Sequence, residues 1–501
     1  MPKYVVALDQ GTTSSRAMLV DANGCVVDAV QNPFPQVYPQ PGWVEHDPRD
    51  ILSSQLGALT ELLVAHNLGA KDIDSIGITN QRETTVVWNR ETGEPVMNAI
   101  VWQCRRTAPI IDELTADPQT ARIIADKTGL VPDAYFSASK IKWILDHVEG
   151  AREDAEAGKL AFGTVDTWLI WTLTQGKVHA TDVTNASRTM LYNIHELRWD
   201  PWLLDLFDIP ESLLPEVLPS SGEFGRTASA GIVPNVPICG VAGDQQAALF
   251  GQCCFQPGQA KNTYGTGCFL LMHTGREACR STHRLVTTLA ASAPGAPGPE
   301  YALEGSVFMA GALMQWLRDD MGIIDDVAET SAIARSVNST DGVYVVPAFT
   351  GLGAPYWDAD ARGAIYGLTR GTGRAHIVRA ALESLAYQVH DLAVAMEADA
   401  GVRLSVLNVD GGASANDFLM QFQSDILRTP LRRPQNAETT ALGAAFLAGL
   451  ATGFWKDAEA LCALRSSDDV YEPGMEDERH AKLLEGWARA VKRTMSDALS
   501  S

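Results

Sequence analysis

Three glycine- and hydroxyl-rich turns and two acid-bearing strand ends hold the residues of this chain whose types and spacing could do chemistry. The first turn is Asp9-Gln10-Gly11-Thr12-Thr13-Ser14-Ser15-Arg16, a glycine and four hydroxyl residues after an acid. Backbone N–H groups and short hydroxyls in such a turn can cradle phosphate oxygens. The acid would be repelled by phosphate, so its sensible role is to hold Mg²⁺ against the phosphate oxygens through water. The other turns are Thr263-Tyr264-Gly265-Thr266-Gly267-Cys268 and Val409-Asp410-Gly411-Gly412-Ala413-Ser414-Ala415-Asn416. Each alone reads as an ordinary polar turn, but three phosphate-compatible turns at strand ends are harder to dismiss. Neither a G-x-x-x-x-G-K-[ST] pattern nor a G-x-G-x-x-G with its downstream acid occurs at these turns, which argues against P-loop and Rossmann sites.

The acid-bearing strand ends are Gly243-Asp244-Gln245-Gln246 and Asn80-Gln81-Arg82-Glu83-Thr84-Thr85. Asp244, after a buried strand and before a helix, could accept a hydroxyl proton during attack on phosphorus, or could cap the helix. In a closed cleft Arg82 and Glu83 could donate to and accept from the hydroxyls of a polyol. On an exposed loop they would be a weak solvated ion pair. Trp102, Tyr135 and Phe269 could pack on a polyol's carbons or belong to the core.

Alternation and turn residues predict the elements that must position these groups. Strands are expected at 4–9, 16–20 and 25–30, with Asn23-Gly24 as a hairpin turn, making an antiparallel meander. Asp47-Pro48 reads as a helix start, and Ile51, Leu52, Leu56, Leu59, Leu62 and Leu63 as its stripe, before a strand at 73–79. A similar progression recurs later. Strand 236–241, helix 245–251 and strand 261–267 lead to strands at 269–272, 285–290 and 301–303. Helices near 308–319 and 376–392, a strand at 404–410 and a terminal helix carrying Trp487 and Val491 follow. The Pro/Gly-rich stretch 292–299 reads as a loop. Two α/β domains are expected, 1–250 and 251–501.

The chain has 501 residues, 39 Lys+Arg against 61 Asp+Glu and a formal charge of −22, with 46% hydrophobic residues. This excludes a disordered or fibrous chain and argues against nucleic-acid or anionic-membrane binding. No apolar run reaches membrane-spanning length, and the start is unlike a signal peptide. Eight cysteines without a C-x-x-C pair suit reduced thiols, so a soluble cytoplasmic protein is expected.

Two longer patterns carry a resemblance. One is Tyr135-Phe136-Ser137-Ala138-Ser139-Lys140-Ile141-Lys142-Trp143; the other runs Gly363-Ala364-Ile365-Tyr366-Gly367-Leu368, then His376-Ile377 and Ala380-Ala381-Leu382-Glu383. Together they resemble the FGGY carbohydrate kinases of the actin-like ATPase superfamily, over nearly the whole chain. The resemblance implies an α/β fold of two actin-like (ribonuclease H-like) domains with a central cleft, ATP and Mg²⁺ as cofactors, and a homodimer or homotetramer. The stretches 80–85, 102–107 and 243–251 are similar to those of members that phosphorylate glycerol. By that likeness Arg82, Glu83, Tyr135, Asp244 and Gln245 contact glycerol, Trp102 and Phe269 pack on its carbons, and Asp244 is the general base. Thr12, Thr13, Ser14 and Arg16 hold phosphates, Thr266, Gly311 and Gln315 line the nucleotide cleft, and Gly412 and Asn416 meet adenosine. Asp9, with Asp244, organises Mg²⁺. In some bacterial members a basic loop equivalent to 225–231 binds fructose 1,6-bisphosphate; here 232–237 lacks the expected arginine, so the resemblance does not decide whether that regulation operates. A kinase for another polyol or a pentulose, and a non-catalytic actin-like nucleotide-binding protein, are the alternatives.

Overall fold

The computed structural model describes residues 3–465 and 468–496. Its N-terminal sheet is built from β1 (Tyr4–Gln10), β2 (Ser14–Val20), β3 (Val26–Pro33), β4 (Ile73–Asn80), β5 (Ser221–Arg226) and β6 (Pro237–Gly243), in the order β5-β6-β4-β1-β2-β3. The expected meander is present, with β1–β2 and β2–β3 antiparallel, while β1–β4 and β4–β6 are parallel. Val5 to Leu8 of β1 are all buried, as a central strand covered on both faces requires, whereas edge strand β3 alternates between half-buried and exposed. Helix α1 (Pro48–Ala65) starts where the sequence says it should: the Asp47 carboxylate accepts from the Arg49 N–H at 2.8 Å and Pro48 fills the first turn. Helix α2 (Asp244–Gly251) follows β6 directly.

The C-terminal sheet repeats the plan. It contains β7 (Gln259–Tyr264), β8 (Cys268–Gly275), β9 (Val286–Leu289), β10 (Tyr301–Val307), β11 (Val406–Asp410), β12 (Leu431–Arg433) and β13 (Asp469–Tyr471), ordered β9-β10-β8-β7-β11-β12-β13. Pairs β7–β8 and β8–β10 are antiparallel, β7–β11 and β11–β12 parallel, and β12–β13 antiparallel. Strand for strand, β7 stands where β1 does in the first sheet, so the turns at 11–13 and 265–267 are equivalent hairpins. Strand β7 ends at Tyr264 rather than running to Gly267, because Gly265 turns back on Gly267.

The longer helices of this half include α3 (Gly311–Asp319), α4 (Arg374–Ala400), α5 (Asp417–Leu427) and α6 (Thr439–Thr452). Helix α4 runs eight residues beyond the expected Leu392, because no breaker intervenes before Gly401, whose φ of +66° caps it. Helix α6 leaves its own half and lies on the N-terminal sheet. A side chain at Gly443 would collide with the Ala247 carbonyl, and one at Gly77 with that of Ala444, so glycines at these positions let helix backbone meet sheet and α2 backbone directly. A terminal helix, α7 (Asp477–Thr494), buries Trp487 and Val491 against the C-terminal core. Among the described residues all eight cysteines are free thiols, and no helix is long and apolar enough to cross a membrane.

Candidate active site

A cleft of about 990 Å³ opens between the two sheets, lined from one side by Trp102, Tyr135, Phe136 and Arg188 and from the other by Thr266, Phe269, Glu304 and Phe308. At its floor lies a buried charge cluster assembled from three distant parts of the chain. Arg82 leaves the end of β4 and grips Glu304 of β10 with both nitrogens, Nη1–Oε2 at 2.6 Å and Nη2–Oε1 at 2.9 Å. Its Nε lies 3.1 Å from Asp244 Oδ1. Glu83 is not mainly the partner of its neighbour, being 3.8 Å from Arg82, but accepts from Arg188 Nε at 2.6 Å. Arg188 also reaches Glu304 at 3.1 Å, while its Nη1 is buried with no partner in the protein.

Burial penalises every charge here, and the pairing decides which way each group moves. Burial works to raise Glu304, but the guanidiniums of Arg188 and Arg82 outweigh it and hold the carboxyl down to about 2. For Glu83 burial wins over the same two arginines, and its pKa is raised. Glu83 also adopts a φ of +62°, costly for a side chain of this size, and from that left-handed turn its carboxylate meets Arg188. The exposed, weakly paired reading of Arg82 and Glu83 is therefore excluded.

The aromatic wall is braced from behind. Trp102 and Tyr135 meet edge to face at 5.5 Å. Buried Lys140, inside the Tyr135–Trp143 pattern, donates to the carbonyls of Ala134, Tyr135 and Phe136 at 2.8, 2.5 and 2.9 Å, which fixes the Tyr135 loop. Burial, then the Glu83 charge, raises the Tyr135 phenol, so its hydroxyl stays protonated.

Asp244 is the first residue of α2, with Gly243 at the cap position, and its side chain is 33% exposed. Its Oδ1 accepts from the Gln245 N–H at 2.7 Å as well as facing Arg82. The side-chain Oε1 of Gln245 accepts from Lys261 Nζ, and Lys261 also donates to Thr263 Oγ1 at 3.0 Å. Lys261 is buried, which lowers its pKa against the opposing pull of Asp410 and Asp244.

In the hairpin after β1, Gly11, Thr12 and Ser14 are half-buried and Thr13 is exposed, and none of the four is among the residues lining the cleft. Trp102 Nε1 donates to Thr12 Oγ1 at 3.1 Å, tying the aromatic wall to this turn. From beneath, Gln81 donates to Gln10 at 2.9 Å and to the Gly11 carbonyl at 3.1 Å, and Gln36 donates to the Thr12 carbonyl at 3.1 Å. Gln36 is held in turn by His46 at 2.7 Å, whose pKa burial pulls down to about 4. Asp9 pairs in register with Arg16 across the β1–β2 hairpin. Burial raises its carboxyl to about 6, opposed by Arg16 and assisted by the nearby Asp244 charge. Arg16 itself contacts Glu438 and donates to Gln31 at 2.8 Å.

The other two turns are more open. Thr266 is exposed on the second hairpin, where the Gly311 N–H at the start of α3 bonds the Gly265 carbonyl at 2.9 Å. Gln315 is exposed one turn along α3. After β11, Gly411 takes φ +84° against the Tyr264 backbone and Gly412 faces open space. The Asn416 amide is committed at both ends: Oδ1 caps α5 at Leu419 N, 3.1 Å, and Nδ2 donates to Thr330 at 3.0 Å. Among the described residues no cluster of three or more His, Cys, Asp or Glu forms a ready metal cage.

Sequence reasoning missed Arg188, Glu304 and Lys261. Glu304 had a signal, since it is an acid inside the apolar strand Tyr301–Val307, but the strand was read only to Leu303.

Residues 4–251 match the N-terminal domain, and residues 260–452 the C-terminal domain, of the FGGY family of carbohydrate kinases. The chain belongs to this family, and its fold is α/β with two actin-like domains about a central cleft. It is 60% identical over 496 residues, 99% of either chain, to glycerol kinase 1 of Clostridium tetani. Over 490 residues, 98% of either chain, it is 61% identical to the glycerol kinase of Symbiobacterium thermophilum. The solved Plasmodium falciparum glycerol kinase with ADP superposes with a TM-score of 0.94 at 39% identity, covering 98% of each chain. A xylulose kinase from Lactobacillus acidophilus shares the fold, with a TM-score of 0.87 at 22% identity, covering 100% of this chain and 99% of that one.

Proposed function

We propose that this protein transfers the γ-phosphoryl group of ATP to a terminal hydroxyl of glycerol, giving sn-glycerol 3-phosphate and ADP. The observation that carries the reading is the buried Arg82–Glu304–Arg188–Glu83 cluster beneath an aromatic wall, with one guanidinium nitrogen of Arg188 left unpartnered. A neutral polyol needs such a site, because fixed donors and acceptors can replace its hydration while aromatic faces cover its carbons. Relatives about 60% identical over almost their whole length, named as glycerol kinases, support the acceptor's identity.

In this reading Arg82, Glu83, Tyr135, Asp244 and Gln245 bind the hydroxyls, and Trp102 and Phe269 cover the carbons. Lys261 can only donate, so its grip on the side-chain Oε1 of Gln245 leaves the Gln245 NH₂ as the end offered to the acceptor. Thr12, Thr13, Ser14 and Arg16 hold phosphates, Thr266, Gly311 and Gln315 line the nucleotide side, and Gly412 and Asn416 meet the adenosine. Residues 1–250 thus carry the acceptor site and phosphate turn, and 251–501 the nucleotide site.

Asp244 takes the proton of the attacking hydroxyl. The transition state is loose, with little bonding to the nucleophile, so that proton leaves late and positioning supplies most of the acceleration. Asp9 and Asp244 are hard oxygen donors, near enough that the Asp244 charge helps to raise the Asp9 carboxyl, a pair that suits Mg²⁺, which takes one or two carboxylates together with phosphate oxygens and water. The ion, when bound, would neutralise charge on the transferring phosphoryl oxygens. Closure of the two halves would exclude water from the phosphoryl group. We further infer a cytoplasmic homodimer or homotetramer, which sedimentation of the purified protein tests.

The decisive experiment is ADP release with MgATP and glycerol, xylitol, D-xylulose or no acceptor, with Asp244→Asn alongside. Turnover that depends on glycerol and collapses in the variant is expected. Turnover indifferent to every acceptor would overturn the proposal.

A further inference from the structure

A second recess, about 370 Å³, lies between α5 and the start of α7 and shares no lining residue with the central cleft. Its wall carries three guanidiniums: Arg335 at the end of the short helix Thr330–Arg335, Arg379 of α4 and Arg479 in the first turn of α7. Phe418 and Met475 supply an apolar surface between them.

We propose that this recess binds a small organic anion, a phosphate monoester or a carboxylate with a flat or apolar body. Three facts carry the proposal. First, Arg335 and Arg479 form no salt bridge among the described residues, and the carboxylates that sense them are already claimed. Asp417 pairs with Arg433 at 3.0 Å, and Glu383 with Arg379 at 2.8 Å. The one acid in the wall, Asp425, is occupied by the Gly474 N–H at 2.8 Å and by Gln421 at 3.2 Å.

Second, Arg379 is built in rather than free on the surface. Its side chain is only 7% exposed, it is held by Glu383 and by the Ala334 and Val337 carbonyls, and its guanidinium carbon lies 4.9 Å over the Phe418 ring. Nε and Nη1 are spent on these partners, so Nη2 is the nitrogen of Arg379 left to donate to an oxygen of a phosphate or carboxylate. Third, in a chain with a net charge of −22 the wall of this recess gathers three guanidiniums against one carboxylate, Asp425, an excess of positive charge that favours an anion. The volume falls in the range of small-ligand pockets, and Phe418 with Met475 gives the ligand's body an apolar rest.

The recess is also joined to the nucleotide side. Phe418 lies two residues after Asn416, and Asn416 bonds Thr330, the first residue of the helix that ends in Arg335. An occupant bridging Arg335 and Phe418 therefore presses on both helices that position Asn416.

The test is calorimetric titration of phenyl phosphate into the full chain, with and without saturating ADP. Saturable binding is expected in both conditions, tighter than that of inorganic phosphate, and weakened about tenfold by Arg479→Gln and by Arg335→Gln, the loss of one charged hydrogen bond in each. ATP turnover by Arg479→Gln should match the parent, which also shows that the variant folds. No saturable heat, heat abolished by ADP, or heat that neither substitution reduces would overturn the proposal.

Discussion

The two ends of the central cleft are built on opposite principles. At the acceptor end, Arg82, Glu83, Arg188 and Glu304 are buried, ion-paired and drawn from strands and loops of both halves. Of the residues proposed to hold the nucleotide, Thr13, Thr266, Gln315 and Gly412 are exposed on hairpins and helix starts. The difference follows from what each end is proposed to hold. A polyol brings no charge, so the protein must supply fixed polar groups and balance each against another before the ligand arrives. A triphosphate brings its own charge, and backbone N–H groups with a few hydroxyls can meet it.

The contrast predicts where substitutions hurt stability and where they hurt only turnover. Glu304→Gln removes the carboxylate shared by two buried guanidiniums and is expected to cost about 3–5 kcal/mol in urea unfolding. A variant as stable as the parent would mean the cluster is not the rigid floor described. Asp244→Asn should behave differently, because its side chain is one-third exposed: turnover falls about 10²–10⁴-fold with glycerol KM nearly unchanged. A change confined to KM would remove Asp244 from the role of base.

His46 is the buried exception beneath the phosphate turn, and it gives a pH test. The unfolded chain takes up a proton near 6.5, whereas the folded chain resists protonation down to about 4. Acid therefore favours unfolding: this contribution is intact above pH 6.5 and lost as pH falls from 6.5 to 4, by about 3 kcal/mol. His46→Gln should flatten the stability profile across that window, measured by urea midpoints. The smallest effect is expected at Asn416→Ala, where a lost helix cap costs about 1 kcal/mol and the rise in ATP KM reads the nucleotide role separately. An unaltered KM would reduce Asn416 to a capping residue.

Much of this was legible locally. The β1–β2–β3 meander, the Asp47-Pro48 helix start and the glycine turns follow from alternation, capping and positive-φ residues, each a preference acting over a few positions. The Ala/Gly-rich segment at 439–452 gave no such sign of its destination, because lying on the other half's sheet depends on close backbone approach at Gly77 and Gly443. The acceptor floor was hidden for the same reason. Arg82 and Glu304 are 222 residues apart, and Arg188 and Glu83 are 105 apart.

By itself, then, the sequence determined the kinds of turn, the two related α/β halves and the chemistry its motifs could perform, since these rest on local backbone preference and residue type. Only the tertiary structure decided which charges are buried together. Whether an arginine is a solvated surface group or one arm of a compensated cluster depends on the dielectric around it and on partners that the chain brings close only when both halves are folded.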